Sequence, residues 1–333
     1  MKIITVIGTR PQYTKIKPLQ DYFNNNNIEN CLIDTNQHYS DNVSKNLIKE
    51  LELNIDYNLG IKSNNEISFI ANGISSVYNK LKEVSDEKSV VVVIGDTNST
   101  LISSIAAKKM GLKLVHIEAG IRSGDKNNPE EINRIMTDSI SDIHFTSREC
   151  DGENVSNPVY VGDLEYSFLN SIEDNYEEVS YDGNILLTIH RQENMNIFKL
   201  NNIFNFCESL KYPIVFPIHH RTANFIRDNN LSIPDNIKVI DSVSYMEMIS
   251  IMRSCRSIIT DSGGISKTAP FFGKKVIVVM DKWGWNDLFT KGYAVNKLDA
   301  QWLHDYEVYR DVNFYYVENS CESIANNILK LEE

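Results

Sequence analysis

The sequence predicts an α/β protein of two doubly wound, Rossmann-like halves that face each other across a cleft. Three observations predict it. Short β-branched runs alternate with helical patterns along nearly the whole chain, several runs are apolar without alternation, and most of them end in a polar cluster. A βα rhythm builds parallel sheets, and an unbroken apolar run marks a strand covered on both faces.

The strand candidates, in order, are residues 3–7, 31–34, 90–94, 112–117, 159–161, 185–189, 214–218, 237–240, 257–260 and 275–279. Between them, Ile67, Ile70, Ile74, Val77 and Leu81 step by 3, 4, 3 and 4, which is one face of an amphipathic helix. Residues 131–143 and 245–253 read the same way, and 322–331 form a last helix. Roughly ten strands exceed an ordinary open sheet. A barrel and two open halves both fit the rhythm; the acidic, weakly patterned stretch 163–181 favours two halves. The expected domains are 1–165, 166–318, and a C-terminal helix, 319–333, packing back on the first. The asparagine run 24–27 is a polar loop tip.

The chain has 333 residues, 42% hydrophobic and 23% charged, which excludes collagen-like, mucin-like and disordered classes. Lys plus Arg is 33 and Asp plus Glu is 45, so the net charge is −12. Such a chain is a poor nucleic-acid binder, and any anion it holds needs a local basic pocket. Cys31, Cys150, Cys207, Cys255 and Cys321 are odd in number, far apart and without a CxxC, which fits a reducing cytosol better than a disulfide framework. Residues 1–8 are too short an apolar run for a signal peptide. No run reaches the ~20 apolar residues that span a bilayer, so no membrane partner is expected.

The polar clusters fall where open parallel sheets bind ligands, beyond the carboxyl ends of the strands. They are Gly8-Thr9-Arg10-Pro11-Gln12, Gln37-His38-Tyr39, Gly95-Asp96-Thr97-Asn98-Ser99-Thr100, His116 to Arg122, His190-Arg191, His219-His220-Arg221 and Asp261-Ser262-Gly263-Gly264. The last follows a strand and opens a helix. Its glycines and helix N-terminus suit a diphosphate, though Asp and Ser also serve as ordinary helix caps. Arg10 and Lys15 start the first helix, and a guanidinium suits phosphate; Lys17 reads as a solvated face. Arg122, Arg134, Arg191 and Arg221 are available for a basic pocket, with Glu130 an alternative partner for Arg134. Asp96, Glu118, Glu130 and Glu131 supply carboxylates that can divide acid and base roles. His116 reads as a satisfied core histidine, and His190 as a functional one. GxGxxG, GxxxxGK[ST] and HExxH are absent, so no nicotinamide, P-loop or zinc chemistry is expected and no cofactor is assigned.

The ordered set GTRPQ (8–12), GDTNST (95–100), HIEAGIRS (116–123), PEEINR (129–134), TIHRQEN (188–194) and TDSGG (260–264) resembles the non-hydrolysing UDP-N-acetylglucosamine 2-epimerase family. Gln12, the QHYSDN segment and the loop 282–285 look closest to a branch acting on UDP-2,3-diacetamido-glucuronate. The resemblance runs from residue 3 to about residue 290. It implies a glycosyltransferase-B-like fold, a homodimer formed mainly through the first domain, and a cytoplasmic enzyme without NAD. It also implies inversion of C2 of a UDP-amino sugar in making surface-polysaccharide precursors, by elimination of UDP to a glycal and re-addition. By motif it assigns Asp96 and Glu118 to proton transfer at C2, Glu130 to the sugar side and His190 to the phosphate or leaving group. Arg10, Lys15, Arg122, Glu131, His219, Ser262, Gly263 and Gly264 fall at ligand-contacting positions. Met248 falls where the family packs a side chain near the base; its other reading is helix core. Two departures stand out: Thr268 takes the place of a ribose-gripping Glu, which implies a weaker or different ribose contact, and the chain is short between Arg148 and Val159. A transferase, a hydrolysing relative and a non-catalytic nucleotide-sugar binder are the competing readings, since fold does not fix function.

Overall fold

The structure is a computed structural model that describes residues 1–37, 41–61, 65–172, 181–280, 286–304 and 315–332. The chain divides into two compact units, Met1–Glu173 with Tyr315–Glu333, and Asp174–Phe314.

The first unit contains β1 (Ile3–Ile7), α1 (Arg10–Asn25), β2 (Asn30–Asp34), α2 (Asp41–Glu50), β3 (Tyr57–Asn58), α3 (Glu66–Val84), β4 (Val90–Ile94), α4 (Asn98–Lys109) and β5 (Lys113–Ile117). It continues with α5 (Pro129–Ile140), β6 (Ile143–Thr146), β7 (Pro158–Tyr160) and α6 (Leu164–Ser171). The second unit contains β8 (Ile185–Thr188), α7 (Ile197–Ser209), β9 (Ile214–Pro217), α8 (His220–Asp228), β10 (Ile237–Ile240), α9 (Tyr245–Ser254), β11 (Ser257–Thr260) and α10 (Gly263–Thr268). Then come β12 (Val276–Val278), α11 (Asn286–Thr290), β13 (Ala294–Val295) and α12 (Ala300–His304); α13 (Ser320–Leu329) belongs to the first unit.

Each unit is built on one parallel sheet, in the orders β3-β2-β1-β4-β5-β6-β7 and β10-β9-β8-β11-β12-β13. β1 and β4 pair directly, Ile3 opposite Val90, and every residue of both strands is buried. That burial on both faces is why β4 reads as an unbroken apolar run and β1 as one interrupted only by Thr5.

Two details depart from the sequence reading. The helix expected over 131–143 stops at Ile140, because Asp142 turns the chain into β6: its backbone N–H bonds Leu114 O at 2.8 Å and its carboxylate accepts from Leu114 N at 2.7 Å. On α3 the expected Ile70, Ile74, Val77 and Leu81 pack on the core together with Phe69, and only Ile67, 75% exposed, leaves the face. α4 has no amphipathic face; Ser99, Thr100, Ser103, Ser104, Ala106 and Ala107 are all buried. Its serines survive burial by donating to carbonyls one turn back, Ser103 to Ser99 and Ser104 to Thr100, each at 2.7 Å.

Residue 165 lies inside α6, whose Leu164, Tyr166, Phe168 and Leu169 are buried. α6 packs on α1 and α13 within the first unit. The returning C-terminal segment is tied at Gly162: Asp163 N bonds Tyr315 O at 2.7 Å, Ser320 Oγ donates to Val161 O at 2.5 Å, and Tyr166 meets Tyr315 edge-on at 5.5 Å. Gly162 has φ +73°, and a Cβ there would stand 2.5 Å from Tyr315 O. Gly111 has φ +77° with no atom near its added Cβ. Gly111→Ala should therefore cost about 1–2 kcal/mol, the left-handed strain alone. Gly162→Ala should cost more and should speed amide exchange along α13. Denaturant midpoints and hydrogen exchange on both variants check this; equal costs and an unaltered α13 would refute it.

Candidate functional site

Strand order reverses between β1 and β4 in the first unit and between β8 and β11 in the second. Parallel sheets open their ligand crevices at such points, past the carboxyl ends. The segments that follow these four strands are 8–12, 95–97, 189–191 and 261–264, so the sequence motifs lie at the switch points.

In the first unit Gln12 ties the two loops together. Its Oε1 accepts from Gly8 N at 2.8 Å, Thr9 N at 3.0 Å and Thr9 Oγ1 at 3.1 Å. Its Nε2 donates to Ile94 O at 2.7 Å and reaches Thr97 Oγ1 and Thr100 Oγ1 at 3.1 and 3.2 Å. Gln12 is buried, so these bonds satisfy backbone groups that water cannot reach. Beside it a Cβ on Gly8 would collide with Thr35 Oγ1 and Ser99 Oγ at 2.1 and 2.2 Å. Gln37 Oε1 accepts from Ser99 N and Oγ at 2.9 and 2.7 Å.

Glu118 sits at φ +64°, a left-handed conformation unusual for Glu. Its carboxylate, 8% exposed, pairs with Lys15 Nζ at 2.5 Å. Its Oε2 stands 3.2 Å from where a Cβ on Gly95 would be, so the absence of a side chain at Gly95 leaves room for it. Asp96 follows Gly95 and pairs with Arg134 NH2 at 2.5 Å; a third of its side chain is exposed. The cap of α4 is Thr97, which accepts from Thr100 N, so Asp96 is free of that duty. Asn133 donates to Asp96 O at 2.9 Å and Asn98 Oδ1 at 3.0 Å.

Arg134 pairs with Asp96 and Glu131, not with Glu130 as an alternative reading of the helix had it. Glu131 is buried and accepts from Ser123 N, Ser123 Oγ and Gly124 N at 2.8, 3.1 and 3.1 Å, and from Arg134 NH1 at 3.0 Å. Burial by itself raises its carboxyl, but these donors outweigh it and hold the group below the usual range. With its oxygens so occupied Glu131 clamps the loop after β5. Glu130, beside it, is exposed in the first turn of α5.

Behind both acids lies Asp138, which the sequence reading missed. Its Oδ1 is 2.6 Å from His116 Nδ1; its Oδ2 is 2.6 Å from Arg122 NH1 and accepts from Gly120 N at 3.2 Å. Burial pushes this carboxyl up, and His116 and Arg122 together bring it below the usual range. Arg122, expected at substrate, is engaged by Asp138 and by Ile121 O. His116 is a satisfied core histidine. The signal available for Asp138 was spacing: Glu131, Arg134 and Asp138 recur at helical intervals on one face of α5.

In the second unit Asp261, fully buried, occupies the same kind of place as Gln12. It accepts from His190 N at 3.0 Å, Arg191 N at 2.9 Å and Asn194 Nδ2 at 3.0 Å, and pairs with His190 Nδ1 at 2.9 Å. Burial raises its carboxyl, and His190, Asn194 and the Arg191 amide overcome that and leave it below the usual range. His190 is 43% exposed, with the His219 ring centroid 6.2 Å away. His219 Nδ1 accepts from Arg221 N at the start of α8, and Arg221 NH1 reaches His190 O at 3.4 Å. Ser262 caps α10 by accepting from Ile265 N at 3.3 Å. An added Cβ on Gly263 would come within 3.9 Å of the Arg191 guanidinium, and Gly264 is exposed.

Arg10 is exposed at the start of α1. Met248 is half-buried and off the fully buried stretch Ile249, Ser250, Ile251 and Met252 of α9. Thr268 is buried and its hydroxyl donates to Gly264 O at 2.9 Å. His38 and residues 282–285 lie outside the described residues. Among the described residues no three His, Cys, Asp or Glu side chains gather as a metal site, and no helix is long and apolar enough to cross a membrane.

Compared with known proteins, residues 20–326 match the family described as UDP-N-acetylglucosamine 2-epimerase. A UDP-N-acetylglucosamine 2-epimerase homolog of Methanococcus maripaludis is 34% identical over 321 residues, covering 89% of this chain and 88% of the relative. The UDP-2,3-diacetamido-2,3-dideoxy-D-glucuronate 2-epimerase of Pseudomonas aeruginosa is 33% identical over 314 residues, with 89% and 88% covered. Among solved structures, the UDP-GlcNAc 2-epimerase of Methanocaldococcus jannaschii in complex with UDP-GlcNAc and UDP superposes with a TM-score of 0.84 at 29% identity, covering 99% of this chain and all of that one.

Asp261 gives a pH prediction. Its folded value lies below the ~3.9 of an unfolded Asp, so its contribution to stability is full above that value and is lost as pH falls through the folded one. Asp261→Asn should cost about 1–3 kcal/mol at pH 7. The gap to the parent should narrow steadily below about pH 4. Urea midpoints across that range test it, and a gap that is constant with pH would contradict it.

Proposed function

The chain belongs to the UDP-N-acetylglucosamine 2-epimerase family, and from that premise we propose that it inverts C2 of a UDP-activated N-acetylated amino sugar by eliminating UDP and adding it back. The observation that carries the reading is Glu118: a carboxylate on left-handed backbone, paired with Lys15 and lodged over the side-chain-free Gly95, next to Asp96.

The C2 hydrogen of a pyranose is not beside a carbonyl and is hardly acidic. Breaking the C1–O bond to the diphosphate as a base removes the C2 proton solves this: the electron pair of the C–H bond becomes the C1–C2 double bond of a glycal, and UDP leaves with the C1–O pair. Return of a proton to the opposite face of C2 and attack of UDP oxygen on C1 complete the inversion, with no net oxidation. Asp96 and Glu118 are the proton-transfer pair. Glu130, exposed at the start of α5, serves the sugar side. Arg10, Lys15, His219 and the Ser262-Gly263-Gly264 turn supply donors to the departing diphosphate, an electrostatic task in a chain of net charge −12. His190, oriented by Asp261, contacts the phosphate. Arg122 and Glu131, engaged by Asp138 and by the loop after β5, support the sugar side through the loops they hold. Thr268, bonded back to Gly264, leaves the ribose to other groups, and Met248 lies towards the base. The first unit serves the sugar and the second the nucleotide, in a cytoplasmic homodimer formed through the first unit that makes precursors of surface polysaccharide.

Incubation with UDP-N-acetylated amino sugars in deuterated water should place deuterium at C2, read by NMR. Asp96→Asn and Glu118→Gln should each slow exchange by about 10²–10⁴-fold with an unchanged circular dichroism spectrum. Exchange absent with every UDP-, GDP- and CDP-sugar would overturn the reading. Net transfer to an added acceptor would favour a transferase instead, and free sugar a hydrolase.

A further inference from the structure

His116 is fully buried, and its two ring nitrogens meet different acceptors: Nε2 lies 2.8 Å from Gly95 O and Nδ1 2.6 Å from Asp138 Oδ1. A carbonyl oxygen only accepts, so Nε2 is the donor to Gly95. Gly95 immediately precedes Asp96. The other oxygen of Asp138 holds Gly120 N and Arg122, two and four residues past Glu118. Asp138 is itself fixed from behind, since its backbone oxygen is 2.8 Å from His144 Nε2, whose Nδ1 is 2.6 Å from Ser156 O. One buried carboxylate thus reaches the loop of Asp96 through a histidine and the loop of Glu118 directly.

We propose that Asp138 is the positioning residue for both acids, setting Asp96 through the His116–Gly95 link and Glu118 through Gly120 and Arg122. This rests on reading Asp96 and Glu118 as the proton-transfer pair. Asp138 makes no contact with substrate; it acts on where the acids stand when the C2 hydrogen is transferred. Its loss should appear in kcat and leave KM nearly alone, because a misplacement of about 1 Å can cost roughly 10²-fold in the chemical step.

Asp138→Ala, Asp138→Asn and His116→Phe are compared with the parent by C2 exchange and epimerisation kinetics, on protein whose thermal transition shows it folded. Asn can keep the geometry: its oxygen accepts from Gly120 and Arg122 while its amide donates to His116 Nδ1, which leaves Nε2–H on Gly95. We expect Asp138→Ala to lower kcat about 10²-fold with KM within about threefold, Asp138→Asn to recover to within about tenfold of the parent, and His116→Phe to fall in kcat alone. An Ala variant that keeps the parent's kcat, a loss confined to KM, or an Asn variant no better than Ala would overturn the proposal. If Ala does not fold, His116→Phe with the parent's kcat, or folded Asp138→Asn more than about 10³-fold down, would overturn it equally. A parent without C2 exchange refutes the functional reading; an exchanging parent with indifferent variants refutes the positioning role alone.

Discussion

The pairing of buried polar groups where the two sheets change winding direction governs the rest of this structure. At each switch point two strand ends diverge, and the backbone amides and carbonyls released there need partners that water cannot supply. In each unit one side chain bridges the two strand ends. Gln12, just past β1, satisfies Gly8, Thr9 and the carbonyl of Ile94 at the end of β4. Asp261, just past β11, satisfies the amides of His190 and Arg191 beyond β8. An amide suffices in the first unit because the loops offer both donors and an acceptor. In the second the groups that meet Asp261 are donors, and an acceptor-only carboxylate matches them.

That difference carries into the electrostatics. If, as proposed, a chain of net charge −12 is to hold a diphosphate, it has to keep its own carboxylates from repelling the ligand. In the first unit three cations serve four of the acids: Lys15 pairs with Glu118, Arg134 with both Asp96 and Glu131, and Arg122 with Asp138. With the carboxylates of Glu118, Glu131 and Asp138 buried, pairing at best repays their desolvation; the pairs determine where each oxygen points. In the second unit the carboxylate is buried and turned towards the chain's own amides, which leaves Arg191 and Arg221 exposed.

Much of this was legible in the sequence because it rests on local chemistry. Apolar runs without alternation marked β1 and β4, and motifs after strands marked the rims where Asp96, Glu118 and His190 are found. What was not legible depends on contacts between distant segments. α4 carries no amphipathic period because neighbours cover it on several sides, and its serines are satisfied only within the helix. β3 and β13 are two residues long, too short to leave a pattern. Residues 315–318 were expected with the second domain and belong to the first, since Tyr315 O accepts from Asp163 N and Val317 lies against Gly162, some 150 positions earlier. Asp138 escaped notice because a lone Asp in mid-helix reads as solvated, and only the fold brings His116 and Arg122 to it.

α5 joins these contacts. It buries Glu131, Asn133, Thr137 and Asp138 and leaves Ile132 and Met136 43% exposed, the reverse of an ordinary surface helix. Turning polar groups inward carries a desolvation cost that ion pairing at best repays, and well-packed apolar residues of similar volume are often as stable or more so. Stability is therefore a weak reason for this arrangement. An apolar face would leave Gly120 N, Ser123 N, Gly124 N and the Asp96 carbonyl without the partners that α5 now provides. These groups belong to the loops after β4 and β5. The inverted face of α5 is thus a template for two loops, and the directions of Asp96 and Glu118 follow from it.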